Sequence, residues 1–165
     1  TGEVLGLSQS YGEAFFKAQE AIQSKLPLEG TVLISVNKKD KDEVVEIARS
    51  LAGDGFKIVA TSGTCDLINA AGIPAVKVKK LFEGRPNVGD MITNGDFDLI
   101  INSPVGKDSI YDDSYLRKAA IKAKAPYITT VAAAKVAAEG IHYVKTHESG
   151  ALKSLQELHS EIHDK

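Results

Sequence analysis

The sequence predicts a three-layer α/β/α domain that contains a sheet of about five parallel strands. From Thr31 onward, short apolar runs alternate with helical patterns. The runs are apolar throughout, as in strands that are covered on both faces, rather than alternately apolar and polar. Strands and helices that alternate in this way form parallel sheets, because each crossover returns the chain in the same direction. A chain of 165 residues is ample for one such domain.

Five apolar runs are predicted to be the strands of this sheet. They are TVLISV from Thr31, FKIVAT from Phe56, AVKV from Ala75, FDLIINS from Phe97 and PYITT from Pro126. Five strands lie within the usual size of sheets.

Helical patterns separate the predicted strands. Asp40 and Glu43 have N-cap spacing before the first of these helices, which ends near Gly53. CDLINAAG stops at Gly72, a residue type that favours helix ends. NVGDMITNG forms one or two turns, SYLRKAAIKAKA follows the loop PVGKDSIYDD, and VAAAKVAAEG reaches Gly140. Beyond it two alternatives stay open, since ALKSLQELHSEIHDK has late helical periodicity while its first residues could pair as an edge strand.

The stretch before the α/β pattern is predicted to be separate from it. Ser10 and Glu13 have capping-box spacing, and a helix follows with five apolar residues on one face. These residues are Ala14, Phe15, Ala18, Ala21 and Ile22. The stretch LPLEG then breaks the helix and is predicted to be a short linker. We therefore expect residues 1–25 to be the remnant of a preceding domain with its linker helix, and residues 26–165 to form the α/β domain.

Composition narrows the classes of function. The chain is 43% hydrophobic and 25% charged, with a formal net charge of -2, which gives no reason to expect nucleic acid or an anionic membrane as a partner. Its single cysteine cannot form an intrachain disulfide, which fits a reducing compartment. No stretch has the length and apolarity of a membrane span, and the N-terminus lacks signal-peptide architecture. A cytoplasmic location is therefore expected.

Polar side chains follow every predicted strand. The carboxyl ends of parallel strands lie at one edge of the sheet, where ligands bind. The residues at these ends are Asn37, Lys38, Lys39 and Lys41, then Thr61, Ser62, Gly63 and Thr64, then Lys79 and Lys80, then Asn102 and Ser103, and finally Thr129 and Thr130. Lysines, and hydroxyls beside a helix N-terminus, are partners for phosphate. This edge therefore suits a small phosphorylated molecule.

The stretch TSGT, residues 61–64, leaves two interpretations open. It leads directly into a helix, so the amides of the first turn are free to bind an anion. Hydroxyl-rich strand ends are also common in α/β folds, where they only turn the chain. The stretch is neither a Walker loop nor a GxGxxG fingerprint, so residue types alone do not decide.

Other candidate groups have simpler interpretations. Cys65 lies at a helix start without a histidine near it in sequence, so a buried small residue is predicted. His159 and His163 have the i,i+4 spacing of metal ligands, but they lie in a polar tail without HExxH and are expected to be exposed. The stretch EGRP, residues 83–86, is interpreted as a structured turn, although its arginine could face the strand-end edge. No Ser/His/Asp set, histidine pair or carboxylate pair is recognisable in the strand-end loops, so we predict no catalytic residue and no metal site.

Longer stretches resemble a known family. KIVATSGT, AAGIP, VKKLFEGRPNVGDMITNGDFDLIINSP, and YDDSYLRKAAI followed by PYITT are similar to the methylglyoxal-synthase-like fold. Within that fold they resemble the regulatory domain that ends the large chain of bacterial carbamoyl phosphate synthetase. The likeness runs from about Leu26 to the C-terminus. TGEVLG and the first helix resemble the end of the neighbouring ATP-grasp domain of that chain.

The resemblance implies an allosteric module that binds UMP, IMP or both, and so regulates carbamoyl phosphate synthesis for pyrimidine and arginine biosynthesis. The family's phosphate pocket corresponds to Lys41, Thr61, Thr64 and Lys80. Its ribose and base contacts correspond to Asn102, Asp112, Thr129 and Thr130. One position departs from the pattern. Pro104 replaces a hydroxyl residue and lacks both the hydroxyl and the amide donor.

The resemblance also implies what surrounds such a domain. No cofactor is expected in these residues, whereas the parent ligase would use ATP with Mg²⁺ or Mn²⁺. The expected partners are the rest of the large chain and its glutaminase small subunit, and a homo-oligomer is a further possibility.

The namesake enzyme of the fold supplies the alternative function, a lyase that removes phosphate from dihydroxyacetone phosphate. That enzyme needs aspartates, which by the same likeness fall on Arg85 and Ser103, and a histidine of its first loop is replaced within SVNKK. Neither arginine nor serine replaces a carboxylate base, so lyase activity is not expected. The related IMP cyclohydrolase fold is a third interpretation, but it belongs to a longer bifunctional chain.

Overall fold

The computed structural model describes residues 3–22, 24–104, 107–147 and 154–163, and for residues 107–112, 161 and 163 it describes the backbone alone. The strands are β1 (Thr31–Val36), β2 (Lys57–Thr61), β3 (Ala75–Val78), β4 (Leu99–Ser103) and β5 (Tyr127–Ile128). The helices are α1 (Tyr11–Ala21), α2 (Lys41–Gly53), α3 (Ser62–Ala70), α4 (Val88–Asn94), α5 (Lys107–Ala123), α6 (Val131–Thr146) and α7 (Leu155–His163).

The five strands of the described chain form one parallel sheet, as predicted. Their order is β3-β2-β1-β4-β5. Val32 of β1 is in register with Ile58 of β2 on one side and with Leu99 of β4 on the other. The chain thus builds β2 and β3 on one side of β1 and then crosses to add β4 and β5 on the other. The carboxyl ends of β1 and β4 flank the point where the strand order reverses, and this is where α/β sheets bind ligands.

Helices cover both faces of the sheet, which confirms the predicted three layers. On one face, Val32 and Ile34 pack in a core with residues of α2, α3 and α6. On the other face, Leu33 packs with residues of α4 and α5. These three neighbours are each 0% exposed. Strand β1 is therefore apolar throughout because both of its faces are buried.

Helix α1 packs on α6 instead of standing apart from the domain. Gly12 of α1 and Gly140 of α6 meet at the crossing, where a Cβ atom on Gly140 would lie 2.4 Å from the Gly12 carbonyl oxygen. The buried residues of α1 are Gly12, Glu13 and Phe16. The predicted apolar face was right only in part, since Phe15 packs against the core while Ile22 at its end is exposed. The glycine pair, rather than apolar periodicity, sets the face that α1 turns to α6.

Two helix boundaries differ from the prediction. Helix α5 begins at Lys107, whereas the sequence predicted the loop PVGKDSIYDD, which ends at Asp113. Asp108 lies in the first turn of this helix, where an acidic residue is favourable. Helix α6 continues through Gly140 to Thr146, because this glycine permits the close approach of α1 and does not end the helix.

The C-terminal alternatives are decided in part. Helix α7 is the late helix that the periodicity allowed. The edge-strand alternative concerns residues before Ser154, which lie outside the described ranges. Among the helices that are described, none combines the length and the apolar composition needed to cross a bilayer. The assignment of residues 1–25 to a preceding domain stays a prediction.

Candidate functional site

A small cavity opens at the carboxyl edge of the sheet, beside the point where the strand order reverses. Its volume is about 100 Å³. Strands β1, β2 and β4, the loop after β3 and helix α5 all contribute to its wall. The lining residues are Ser35, Thr61, Lys80, Leu81, Val88, Asn102, Pro104, Asp113 and Leu116. Three of the predicted site residues, Thr61, Lys80 and Asn102, therefore meet in one cavity.

The TSGT stretch forms the junction between β2 and α3. Thr61 is the N-cap residue of α3, but its side chain makes no capping hydrogen bond and donates to Ser35 Oγ at 3.3 Å instead. Thr64 is 2% exposed, and its Oγ1 accepts a hydrogen bond from the Val36 amide at 3.5 Å. Thr64 thus ties α3 to β1, while the amides of the first turn of α3 receive no side-chain cap from Thr61. Both interpretations of the stretch, a turn and an anion site, retain a physical basis.

Two lysines lie near this junction from different sides. Lys41, at the start of α2, donates a hydrogen bond from Nζ to the Gly63 carbonyl oxygen at 3.1 Å. The backbone amide of Lys80 donates to Glu83 Oε2 at 2.8 Å. Among the residues that the structure describes, the Lys80 ammonium itself has no hydrogen-bond or ion-pair partner. Lys80 therefore brings an uncompensated positive charge to the cavity wall.

Asn102 belongs to a buried polar network at the opposite wall of the cavity. Its Nδ2 donates to Asp113 Oδ1 at 3.1 Å and to the Tyr127 hydroxyl at 2.7 Å. The Tyr127 hydroxyl in turn donates to the same Asp113 oxygen at 2.9 Å. Arg117 donates to the other oxygen, Asp113 Oδ2, at 2.8 Å. Burial, followed by the hydrogen bond to Asp113, raises the pKa of Tyr127, so its hydroxyl keeps its proton.

Asp113 lines the cavity and contacts Asn102, and it was not among the predicted site residues. It is 8% exposed and lies on the face of α5 that turns to the sheet, with Leu116 and Ala120. The i,i+4 spacing of Asp113 and Arg117 is a signal for this pair that the sequence analysis did not use. The side chain of the predicted neighbour, Asp112, lies outside the described residues, so its role stays a prediction.

The two predicted threonines after β5 do not line the cavity. Thr130 is the N-cap residue of α6, and its side chain accepts a hydrogen bond from the Ala133 amide at 3.2 Å. Thr129 is half-buried between β5 and that cap. Pro104 does line the cavity, so the position that departs from the family's pattern is part of its wall.

The simpler interpretations of the EGRP turn, Cys65 and His159 are confirmed. Arg85 pairs with Asp90 in the first turn of α4, so its loop is a structured turn, and this contact lowers the pKa of Asp90. Cys65 is 1% exposed, and burial raises the pKa of its thiol. His159 is exposed on α7, whereas the side chain of His163 lies outside the described set. Within that set, no cluster of three or more His, Cys, Asp or Glu side chains could hold a metal ion.

A larger cavity lies on the outer side of the polar network. Its volume is about 430 Å³. It is lined by Ser24, Arg117, Ile121, Lys124, Ala125, Pro126 and Tyr127. It contains none of the predicted site residues, and it shares Tyr127 and Arg117 with the network behind Asn102.

Comparison with known proteins agrees with the fold. The family model described as MGS-like domain matches residues 43–129. A solved structure of methylglyoxal synthase from Elizabethkingia anophelis NUHP1 superimposes with a TM-score of 0.54 over 68% of this chain and 79% of that chain, at 20% sequence identity. This likeness supports the fold alone.

The curated relatives are much more similar in sequence. The carbamoyl phosphate synthase large chain of Methanothrix thermoacetophila is 44% identical over 162 residues, which is 98% of this chain and 15% of that protein. The C-terminal section of the large chain from Methanopyrus kandleri is 48% identical over 161 residues, which is 96% of this chain and 29% of that section. The chain thus spans a small part of the length of these relatives. It belongs to the family of MGS-like domains and, over nearly its whole length, is similar to carbamoyl phosphate synthase large chains.

Proposed function

We propose that this chain is an allosteric domain that binds a nucleoside monophosphate, UMP or IMP, at the carboxyl edge of its sheet. The observation that carries the proposal is the cavity that joins Lys80, Thr61 and Asn102. These groups are a cation, a hydroxyl and a carboxamide, which together can bind a phosphate and the polar part of the molecule attached to it. The similarity to large chains of carbamoyl phosphate synthase supports a regulatory role.

The phosphate is proposed to bind between Lys80 and the first turn of α3. Lys80 supplies a positive charge without a partner among the described residues. The amides at the start of α3 supply oriented donors, and the helix dipole favours an anion at this position. Lys41 lies over the same turn through its contact with Gly63 and adds a second cation.

The size of the cavity fits part of a nucleotide. A volume of about 100 Å³ is below the range of roughly 300–1,000 Å³ typical of small-molecule pockets. It corresponds to only a few water molecules at about 30 Å³ each. We therefore propose that the phosphate and the adjoining polar groups enter the cavity, and that the rest of the nucleotide lies along the strand-end edge.

The alternative lyase activity lacks a suitable base at the expected positions. Arg85 is paired with Asp90, and Ser103 Oγ accepts from the Asn37 amide at 3.3 Å. Asp113 is a carboxylate at the cavity, but its oxygens accept from Asn102, Tyr127 and Arg117. A carboxylate with three donors is a poor proton acceptor for a substrate.

The wider role of the domain follows from this proposal. An effector acts through its different affinity for two states of a protein, with a typical coupling free energy of about 1–3 kcal/mol. We propose that the synthesis of carbamoyl phosphate, for pyrimidines and arginine, is controlled in this way in the cytoplasm. ATP with Mg²⁺ or Mn²⁺ would bind to other parts of the large chain, and a glutaminase small subunit would be its partner. A homo-oligomer is a further proposal.

Calorimetric titration of the chain with UMP, IMP and dihydroxyacetone phosphate tests the proposal. We expect saturable binding of UMP or IMP, and weakening by about tenfold in Lys80→Ala, since one charge-assisted contact contributes about 1.5 kcal/mol. Lys57→Ala is the matched control, because Lys57 is an exposed lysine at the amino end of β2, away from the cavity. An unchanged affinity in Lys80→Ala would place the phosphate elsewhere. Methylglyoxal formation from the triose phosphate would replace the regulatory proposal with the lyase.

A further inference from the structure

The structure assigns Asp113 and Tyr127 as positioning residues that fix the Asn102 carboxamide with its oxygen toward the cavity, so that Asn102 accepts a hydrogen bond from the ligand. The side chains of Asn102, Asp113 and Tyr127 form a closed triangle of contacts. Asn102 Nδ2 lies 3.1 Å from Asp113 Oδ1 and 2.7 Å from the Tyr127 hydroxyl, and that hydroxyl lies 2.9 Å from the same Asp113 oxygen. All three contacts lie within hydrogen-bond distance.

The chemistry of the partners determines which way the amide points. The oxygen and nitrogen of an asparagine are told apart by their hydrogen-bond partners. An ionised carboxylate only accepts, so the Asn102 atom beside Asp113 must be the NH₂ group. The Tyr127 hydroxyl donates its single proton to Asp113. It can therefore only accept the hydrogen bond from Asn102. A reversed amide would bring two oxygens together at 3.1 Å, and it would keep a contact with Tyr127 only if that hydroxyl turned its proton away from Asp113.

Arg117 supports this arrangement from the outside of the network. Its guanidinium donates to Asp113 Oδ2 at 2.8 Å and lies 5.6 Å from the centre of the Tyr127 ring. It is about half-exposed, while the Asp113 side chain is 11% exposed. A buried carboxylate needs such a partner, because an unpaired charge is costly away from water. Arg117 therefore gives the Asp113 carboxylate a charge partner on the oxygen that does not contact Asn102.

One atom of the Asn102 side chain remains available to a ligand in the cavity. Asn102 is 7% exposed and lines the cavity. Among the described residues, nothing donates a hydrogen bond to its Oδ1. Because the NH₂ group is held by Asp113 and Tyr127, the atom left for a ligand is an acceptor. An unprotonated phosphate oxygen cannot donate to it, whereas a hydroxyl or an N–H group can.

This assignment rests on the proposed function and makes it more specific. The cavity has a cationic end at Lys80 for the phosphate and an acceptor at Asn102 for a donor on the same ligand. The ligand class is therefore a phosphate monoester that carries a hydroxyl or N–H group near the phosphate. Inorganic sulfate, which carries no proton at neutral pH, would use the first end and not the second.

Two measurements test the inference, and the first needs no ligand. In wild-type protein, the side-chain NH₂ protons of Asn102 should exchange with water about tenfold more slowly than those of Asn94, which is exposed on α4. In Asp113→Asn the new amide can donate to Asn102 Oδ1, so the protection should fall. Tyr127→Phe keeps Asp113 and should reduce the protection less. Unprotected Asn102 protons in the wild type would overturn the inference.

The second measurement compares UMP and inorganic sulfate, a tetrahedral anion without a proton at neutral pH, in calorimetric titrations. Asp113→Asn should weaken UMP binding by about tenfold and change sulfate binding by less than about twofold, because the lost contact is to a donor. Tyr127→Phe should weaken UMP binding by a smaller factor. This variant provides the test if Asp113→Asn does not fold. Asp66→Asn, which removes an exposed carboxylate paired with Lys77, should change neither ligand.

The results of these measurements distinguish the proposed binding of a nucleotide from the inferred orientation of Asn102. Wild-type protein that binds neither UMP nor IMP would overturn the proposed function, while the exchange of the Asn102 protons would still decide the orientation. Equal weakening of UMP and inorganic sulfate binding in Asp113→Asn would mean a general structural role and would overturn the inference. Unchanged affinity for both ligands in this variant would overturn it as well.

Discussion

The crossing of α1 and α6 makes a specific prediction about two glycines. Gly140→Ala adds a methyl group at a point where its Cβ would lie 2.4 Å from the Gly12 carbonyl oxygen and 3.2 Å from the Phe16 Cβ. The nearest atom belongs to the backbone, so no side-chain rotation relieves the contact. An ordinary separation is about 3.5 Å, and the helices must therefore part by roughly 1 Å.

The expected loss can be estimated from opposing effects. Alanine in a helix is favoured over glycine by about 1 kcal/mol, which opposes the clash. Overpacking costs about 1–3 kcal/mol, and parting the helices also loosens the contacts of Phe16. We expect Gly140→Ala to lower the free energy of unfolding by about 1–2 kcal/mol. For a chain of this size, that corresponds to a fall in Tm of about 2–8 °C.

Gly53→Ala is the matched control for this prediction. Gly53 also lies in a helix, but a Cβ atom there would have no atom within 4 Å. The propensity gain should then act alone and raise stability by about 0.5–1 kcal/mol. Urea unfolding followed by circular dichroism measures both variants. If Gly140→Ala is as stable as Gly53→Ala, the close packing of α1 on α6 is contradicted.

Further predictions concern Asp90 and Cys65. The pKa of Asp90 is lowered by its hydrogen bond from Arg85, so the pair adds stability above about pH 4 and loses it as the pH falls through the lowered pKa. Urea midpoints of wild type and Arg85→Ala should therefore differ near pH 6 and converge near about pH 2, and a constant difference would contradict the pairing. Because Cys65 is buried and its thiol pKa is raised, a thiol reagent should label the native chain at least about a hundredfold more slowly than the urea-unfolded chain. Equal labelling rates would contradict its burial.

The sequence was most informative about the sheet. The apolar runs predicted the five strands of the described sheet, and they were clearest in β1, where Val32, Leu33 and Ile34 are buried on both faces. The alternation of strands with helices predicted their parallel direction. A helix boundary was harder to predict from the sequence where the residue that seemed to mark it makes a tertiary contact instead. Gly140 is such a residue, since only the approach of α1 explains it.

The site was predicted in part for a similar reason. Thr61, Lys80 and Asn102 follow strands, and strand ends share one edge whatever the details of packing. Asp113 lies on a helix, where neighbouring positions are about 100° apart and only one of Asp112 and Asp113 can turn to a given neighbour. The α5 face that meets the sheet includes Leu116 and is set by tertiary packing. Local sequence did not reveal that face.

The central claim is that a nucleotide phosphate binds between Lys80 and the first turn of α3. Mapping amide chemical shifts in ¹⁵N–¹H spectra while UMP or IMP is added tests this claim most directly. We expect the largest shift changes at Ser62, Gly63, Lys80 and the side chain of Asn102. These changes should be smaller in Lys80→Ala. Shifts concentrated around Lys124 and the larger cavity, or no shifts with either nucleotide, would contradict it.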